Sequence, residues 1–196
     1  SRDRLALGQI RGGYLYNFWQ DPDHVRGIWR RARLDGYTAN NPRWETVLDI
    51  DALATTENAN WVYQGANCDP AGVRCLISLS NGGLDASTER EFDLQTRRFV
   101  DGGFVVPEAK SNTGWLDHDT LLVATNWGEG SLTESGYPYI LKAWRRGTAW
   151  CRPAAGPISA GSTGMRYTAA LTRVSTALRS APLALTPASA RTLSRN

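Results

Sequence analysis

Residues 12–31, GGYLYNFWQDPDHVRGIWRR, decide how the rest of this 196-residue chain is read. Tyr14, Tyr16 and Phe18 fall on one side of an alternating run, with Leu15, Asn17 and Trp19 on the other. A period of two is the signature of a strand. Asp21-Pro22-Asp23 follows as a turn, since Asp accepts from nearby backbone N–H groups and Pro fixes φ. A second strand over about 28–34 then completes a β-hairpin.

Working outward, the same punctuation recurs. Trp44, Thr46, Leu48 and Ile50 alternate with Glu45, Val47, Asp49 and Asp51, giving a third strand that ends where Asp51 is placed to cap a short helical turn over 52–57. Trp61-Val62-Tyr63 leads through Asp69-Pro70-Ala71-Gly72 into 73–80, where Val73, Cys75, Ile77 and Leu79 share a face; Asn81-Gly82-Gly83 breaks that strand. Residues 91–94 continue the sheet to a turn near Gln95-Thr96. Trp115 then leads through Asp117-His118-Asp119 into 120–126, followed by a break at Gly128-Glu129-Gly130 and a strand over 139–144. Trp19, Trp61 and Trp115 are 42 and 54 residues apart. That is near the ~40–50-residue period of four-stranded propeller blades. The spacing predicts an all-β chain, a partial β-propeller of about three antiparallel four-stranded blades between about 11 and 148, with these three tryptophans at equivalent places.

Charge divides the chain. From Cys151 onward there are six Arg and no acidic residue, so the remaining sixteen basic and nineteen acidic side chains leave the first 150 residues net negative. The pI near 8.9 is therefore no argument for a nucleic-acid partner of the ordered part. All eight Trp lie at or before Trp150. Residues 149–196 are rich in Ala, Ser, Thr, Arg and Pro, which supplies little for a packed core; they are expected to form an irregular basic tail, disordered or read out of frame. No run approaches 18 apolar residues, and the N-terminus has no apolar signal core and looks cut. Three Cys (Cys68, Cys75, Cys151) with no C-x-x-C spacing, and only His24 and His118 besides, point to no metal set and no cofactor. Cys68 and Cys75 are able to approach across their turn, but small buried thiols, and with them a reducing, cytoplasmic setting, are the expectation.

Candidate chemistry is sparse. No Ser has Gly two before and two after it, so no G-x-S-x-G nucleophile elbow exists; Ser135 and Ser162 both miss the spacing. His24 and His118 sit in aspartate-rich turns and are read as exposed polar positions. Glu89, Glu91, Asp93, Asp49 and Asp51 offer carboxylate pairs of the kind glycosidases use, but their alternation with Phe92, Leu94 and Ile50 places them toward solvent. Gly128-Glu129-Gly130 lacks the third glycine of a dinucleotide loop. Trp29-Arg30-Arg31 and Trp144-Arg145-Arg146 are read as cation–π packing on blade surfaces.

Together with residues 12–31, four further phrases come in a telling order: WETVLDIDALATTENANWV (44–62), CLISLSNGGLDASTEREFDL (75–94), GFVVPEAKS (103–111) and LLVATNWGEGSLTESGYPYILKAWRRGT (121–148). Over about 12–148 the chain resembles the N-terminal propeller of prolyl oligopeptidase-type serine peptidases. The resemblance implies a seven-bladed ring that gates access of short peptides to an α/β-hydrolase domain, of which this chain holds roughly half the ring and none of the hydrolase. It carries over no catalytic residue and no defined substrate-binding residue. The expected partners are short peptides and the hydrolase domain, with no nucleic acid and no membrane. The alternative is a non-catalytic propeller-type binding module.

Overall fold

The computed structural model describes residues 8–150, which form three antiparallel sheets. The first blade takes β1 (Gln9–Arg11), β2 (Tyr14–Trp19), β3 (Ile28–Arg33) and β4 (Glu45–Asp49), in that spatial order. A short helix α1 (Leu34–Thr38) joins its last two strands, and α2 (Ile50–Glu57) leads out of it. The second blade holds β5 (Trp61–Cys68), β6 (Arg74–Asn81) and β7 (Ser87–Asp93), with β8 (Arg98–Phe99) and β9 (Val105–Ala109) both paired to β7. The third holds β10 (Asn112–Asp117), β11 (Thr120–Ala124) and β12 (Leu141–Arg145). The partial propeller expected from the sequence is what forms, and among the described residues no sheet closes on itself. The expected tail lies outside the described residues except for Ala149 and Trp150.

β8 and β9 are two halves of one fourth strand. β8 faces Phe92 and Asp93, β9 faces residues 87–90, and at Glu91 the chain steps out and back: Val100 N–H donates to Glu91 O and Glu91 N–H donates to Phe104 O, both at 2.9 Å. Gly103 sits in this excursion because a Cβ there would stand 2.8 Å from Val100 Cβ and 2.9 Å from Glu91 Oε2.

Two cores hold the blades face to face. Tyr16, Trp29, Val47, Leu48 and Ile50 of the first blade and α2 meet Cys75, Ile77, Leu79 and Phe92 of the second. On the opposite face of the second blade, Leu76, Phe104 and Val106 meet Leu121, Val123 and Trp127 of the third. β6 thus buries both faces, as a strand inside a stack of sheets must.

Several expectations need correction. Asp49, not Asp51, caps α2, accepting from Ala52 N at 2.9 Å; Asp51 instead accepts from the backbone N–H groups of Arg26 and Gly27. The three tryptophans are not equivalent: Trp19 ends a second strand, Trp61 begins a first strand and Trp115 lies late in one. Cys68 and Cys75 are disulfide-bonded, with S–S at 1.93 Å, because they stand directly opposite in the β5–β6 ladder, where cross-strand Cβ atoms approach closely. The thiol argument for a reducing compartment falls with that bond. Among the described residues no helix is long and apolar enough to cross a membrane.

Candidate functional site

The titratable side chains gather at the seam between the second and third blades, and β7 is the reason. In an antiparallel ladder directly opposed residues share a face, so Glu89, Glu91 and Asp93 stand beside Ser78, Leu76 and Arg74. All three acids are buried. Their expected exposure is therefore wrong: alternation with Phe92 identifies the two faces of β7, but the face opposite Phe92 is covered by the third blade rather than by water.

Glu91 has no exposed side-chain surface and is held from several directions. Arg146, in the turn after β12, reaches back to it with Nη1 to Oε2 at 2.8 Å and Nη2 to Oε1 at 2.9 Å. Phe104 N–H donates to Oε2 at 2.8 Å, and Arg74 Nη1 lies 3.7 Å from Oε1. The bidentate fork matches a planar guanidinium to a planar carboxylate. Arg146 also donates from Nε to Asp119 at 2.9 Å and lies over the Phe104 ring at 4.5 Å; its bond to Glu91 holds its pKa above the ordinary arginine value. Arg74 Nη2 pairs with Asp93 at 3.2 Å.

Glu89 is different. No cation lies within ion-pair distance among the described residues, and its one side-chain donor is the Thr113 hydroxyl from β10. Burial pushes its pKa up and Thr113 offsets part of that. Glu89 and Glu91 are both buried under Thr113 and Arg146 of the third blade, rather than facing an open cleft of the kind a glycosidase pair needs.

The two histidines each pair with an aspartate. His24 Nδ1 lies 2.8 Å from Asp21 Oδ1 in the β2–β3 turn; the Asp21 bond raises the His24 pKa, and the His24 bond lowers that of Asp21. His118 Nδ1 lies 3.1 Å from Asp69 Oδ2, linking the β10–β11 turn to the β5–β6 turn. Asp69 is buried, which raises its pKa, but bonds from His118 and from the Arg74 and Val73 N–H groups outweigh burial and the net shift is downward. Among the described residues neither imidazole bonds a serine. Arg30 lies 4.1 Å from both the Trp19 and Trp44 rings, and Arg31 lies 4.4 Å over Tyr14, so these guanidiniums stack on rings of their own sheet. Among the described residues no group of three or more His, Cys, Asp and Glu is placed to hold a metal.

The features that sequence reasoning misses share a cause. Local sequence places Arg146 on a blade surface, and nothing in it points across 55 residues to Glu91. The interruption at 101–103 is equally silent.

Comparison with known proteins bears on the same blades. The family model described as prolyl oligopeptidase, N-terminal beta-propeller domain, matches residues 1–149. An uncharacterized peptidase of Sinorhizobium fredii is 46% identical over 147 residues, covering 74% of this chain and 20% of that protein. An uncharacterized peptidase of Rickettsia prowazekii is 37% identical over 155 residues, covering 74% and 22%. Among solved structures, a post-proline cleaving enzyme from Rickettsia typhi superposes with a TM-score of 0.69 at 35% identity, covering 74% of this chain and 22% of that one. Oligopeptidase B from Leishmania major, at 16% identity and a TM-score of 0.53, shares the fold alone. The chain spans about a fifth of the length of these relatives. With three antiparallel blades and a family match over most of its length, the chain belongs to the prolyl oligopeptidase N-terminal β-propeller family.

Proposed function

We propose that residues 11–148 are part of the substrate-gating propeller of a prolyl oligopeptidase-like serine peptidase that hydrolyses short peptides, and that this chain by itself does not hydrolyse them. The observation that carries the reading is the stack of three blades, the second packed on both faces, matched in order to a fifth of peptidase relatives. A propeller acts sterically: its blades narrow the way to a catalytic centre so that folded proteins are kept out. The partner this implies is an α/β-hydrolase domain that brings its own nucleophile elbow, since the 196 residues contain no G-x-S-x-G.

The test is direct. Purified chain leaves a chromogenic prolyl peptide uncleaved and takes up no fluorophosphonate probe. Stoichiometric labelling of any serine overturns the reading. A non-catalytic binding module is the competing reading; it predicts a folded monomer of the chain that retains a short peptide without any hydrolase domain. The boundary near 148 is part of the same proposal; because Trp150 packs on Trp127 and Trp144, melting of a chain ending at Trp150 against the full chain tests it, and an unchanged or raised melting temperature is expected.

A further inference from the structure

The disulfide stands where both seams meet. Cys75 has no exposed surface and is part of the core shared with the first blade, while Cys68 packs against that core and keeps part of its surface in solvent. The residues that flank Cys68 turn the other way. Asn67 Nδ2 donates to Thr113 O at 3.0 Å, Trp115 Nε1 donates to Asn67 O at 2.9 Å, and Asp69 pairs with His118 at 3.1 Å. The β5–β6 end thus carries three polar clamps onto β10 and the β10–β11 turn of the third blade. The clamps and the sulfur bridge are held by the same three consecutive residues.

We propose that Cys68 and Cys75 form a reversible redox site, reduced by a dithiol at the exposed side of Cys68, whose state sets how firmly the β5–β6 end clamps the third blade. One thiolate of the dithiol attacks Cys68 Sγ in line with the bridge. A mixed disulfide forms and the S–S bond breaks, with its electron pair leaving on Cys75 Sγ, which takes up a proton. The second thiolate of the dithiol then closes on its own partner sulfur and releases Cys68 as a thiolate. Two electrons pass from the dithiol, which ends as a disulfide, to the protein, which ends with two thiols. Attack at Cys75 is blocked by burial, so the order is fixed. Two unbonded sulfurs need van der Waals separation, and Cys75 is held on all sides within the core while Cys68 is only half-buried at its edge. The displacement falls on the half-buried member, Cys68, and so on Asn67 and Asp69.

The full chain carrying Cys151→Ser isolates the pair. Alkylation with iodoacetamide after unfolding without reductant is expected to label no cysteine, and two after native exposure to dithiothreitol; brief exposure and quenching should label Cys75 first, with Cys68 held as the mixed disulfide by a monothiol such as glutathione. Exchange of the Trp115 indole N–H, read by NMR, should quicken at least tenfold on reduction, whereas the indole N–H of Trp127, bonded to Ile140 O, should not change. Two labelled cysteines in the untreated chain overturn the bond. A bridge that dithiothreitol cannot reach before unfolding overturns the site. Unchanged Trp115 exchange after complete reduction overturns its effect on the clamp.

Discussion

The second blade has two faces, and its neighbours are held to them by different physics. Toward the first blade the contact is aromatic and aliphatic: Trp29 lies 6.3 Å from Phe92 and 6.2 Å from Tyr63, and Phe18 stacks on Tyr63 at 4.5 Å. Ion pairs such as Arg90–Glu57 and Arg97–Glu45 stand only at its rim. Toward the third blade the apolar cluster surrounds a buried carboxylate held by arginine from the far side. An apolar face is tolerant of small slips, because dispersion and hydrophobic burial have no direction. A fork closed on a carboxylate with no exposed surface fixes one register, and when Arg146 is lost Glu91 is left charged and away from water.

The largest effect should come from the apolar seam. Phe92→Ala removes a fully buried ring and leaves a cavity that rigid sheets on both sides cannot close, at a cost of about 3–5 kcal/mol. Urea unfolding at pH 7 and pH 5 measures it, and the loss should be the same at both. A loss under about 1 kcal/mol, or one that varies with pH, would mean that this seam is not the apolar contact described.

Next in size is the ionic seam. Arg146→Met keeps most of the side-chain volume but leaves the buried Glu91 with only the Phe104 N–H and the more distant Arg74, and should cost about 3 kcal/mol. Adding Glu91→Leu should recover part of that, since no buried charge is then left without its partner, although the Phe104 N–H loses its acceptor. If the double variant is no more stable than the single one, the pair is not the seat of the cost.

These two seams are unequally legible in the sequence. The apolar one follows from alternation: Tyr14, Tyr16, Phe18, Cys75, Ile77 and Leu79 group by face from sequence alone, and that grouping gives the first core. The ionic seam is hidden by the same rule. Alternation of Glu91 with Phe92 reads as one wet and one dry face, which holds for a sheet packed on one side; a blade in a stack has no wet face. Charge is then buried by pairing over long sequence distances, and sequence spacing carries no record of such pairs. The tryptophan period succeeds for the blades and fails for their registers, because Trp19, Trp61 and Trp115 serve three different contacts: bonds to the nearby Asp21 and Glu57, and a bond across to Asn67 of the neighbouring blade.

A smaller effect distinguishes the unpaired acid of the ionic seam from the paired ones. Glu89 has its pKa raised by burial, so the fold favours its protonated form; that contribution is complete below the ordinary value of about 4.3 and is lost as pH rises through the folded-state value. Glu89→Gln mimics the protonated form. It should leave the protein up to about 1 kcal/mol more stable at pH 7 and unchanged at pH 4, by urea midpoint. Destabilisation at pH 7 would show that the carboxylate has a cationic partner.

The smallest effect sits at the solvent edge of the same seam. The His118 side chain is 54% exposed while that of Asp69 is 1% exposed, so the pair joins a wet group to a dry one. Asp69 has its pKa lowered in the fold, against the push of burial, by His118 and by the Arg74 and Val73 N–H groups. Its contribution is therefore present above the unfolded value of about 3.9 and is lost as pH falls through the folded value. His118→Asn removes one of those donors and leaves the two backbone bonds that Asp69 makes to its own turn. The loss at pH 7 should be under about 1 kcal/mol, as for an exposed ion pair. The informative readout is the Asp69 carboxyl titration by NMR, which should move upward in the variant while that of Asp93, held by Gln95, Thr96 and Arg74, stays where it was. If both move together, the seam responds as one coupled network reaching from the Arg146 fork on the buried Glu91 to its rim. If only Asp69 moves, the clamp at the β5–β6 end is independent of the fork at Glu91, and the second and third blades are held at two separate points.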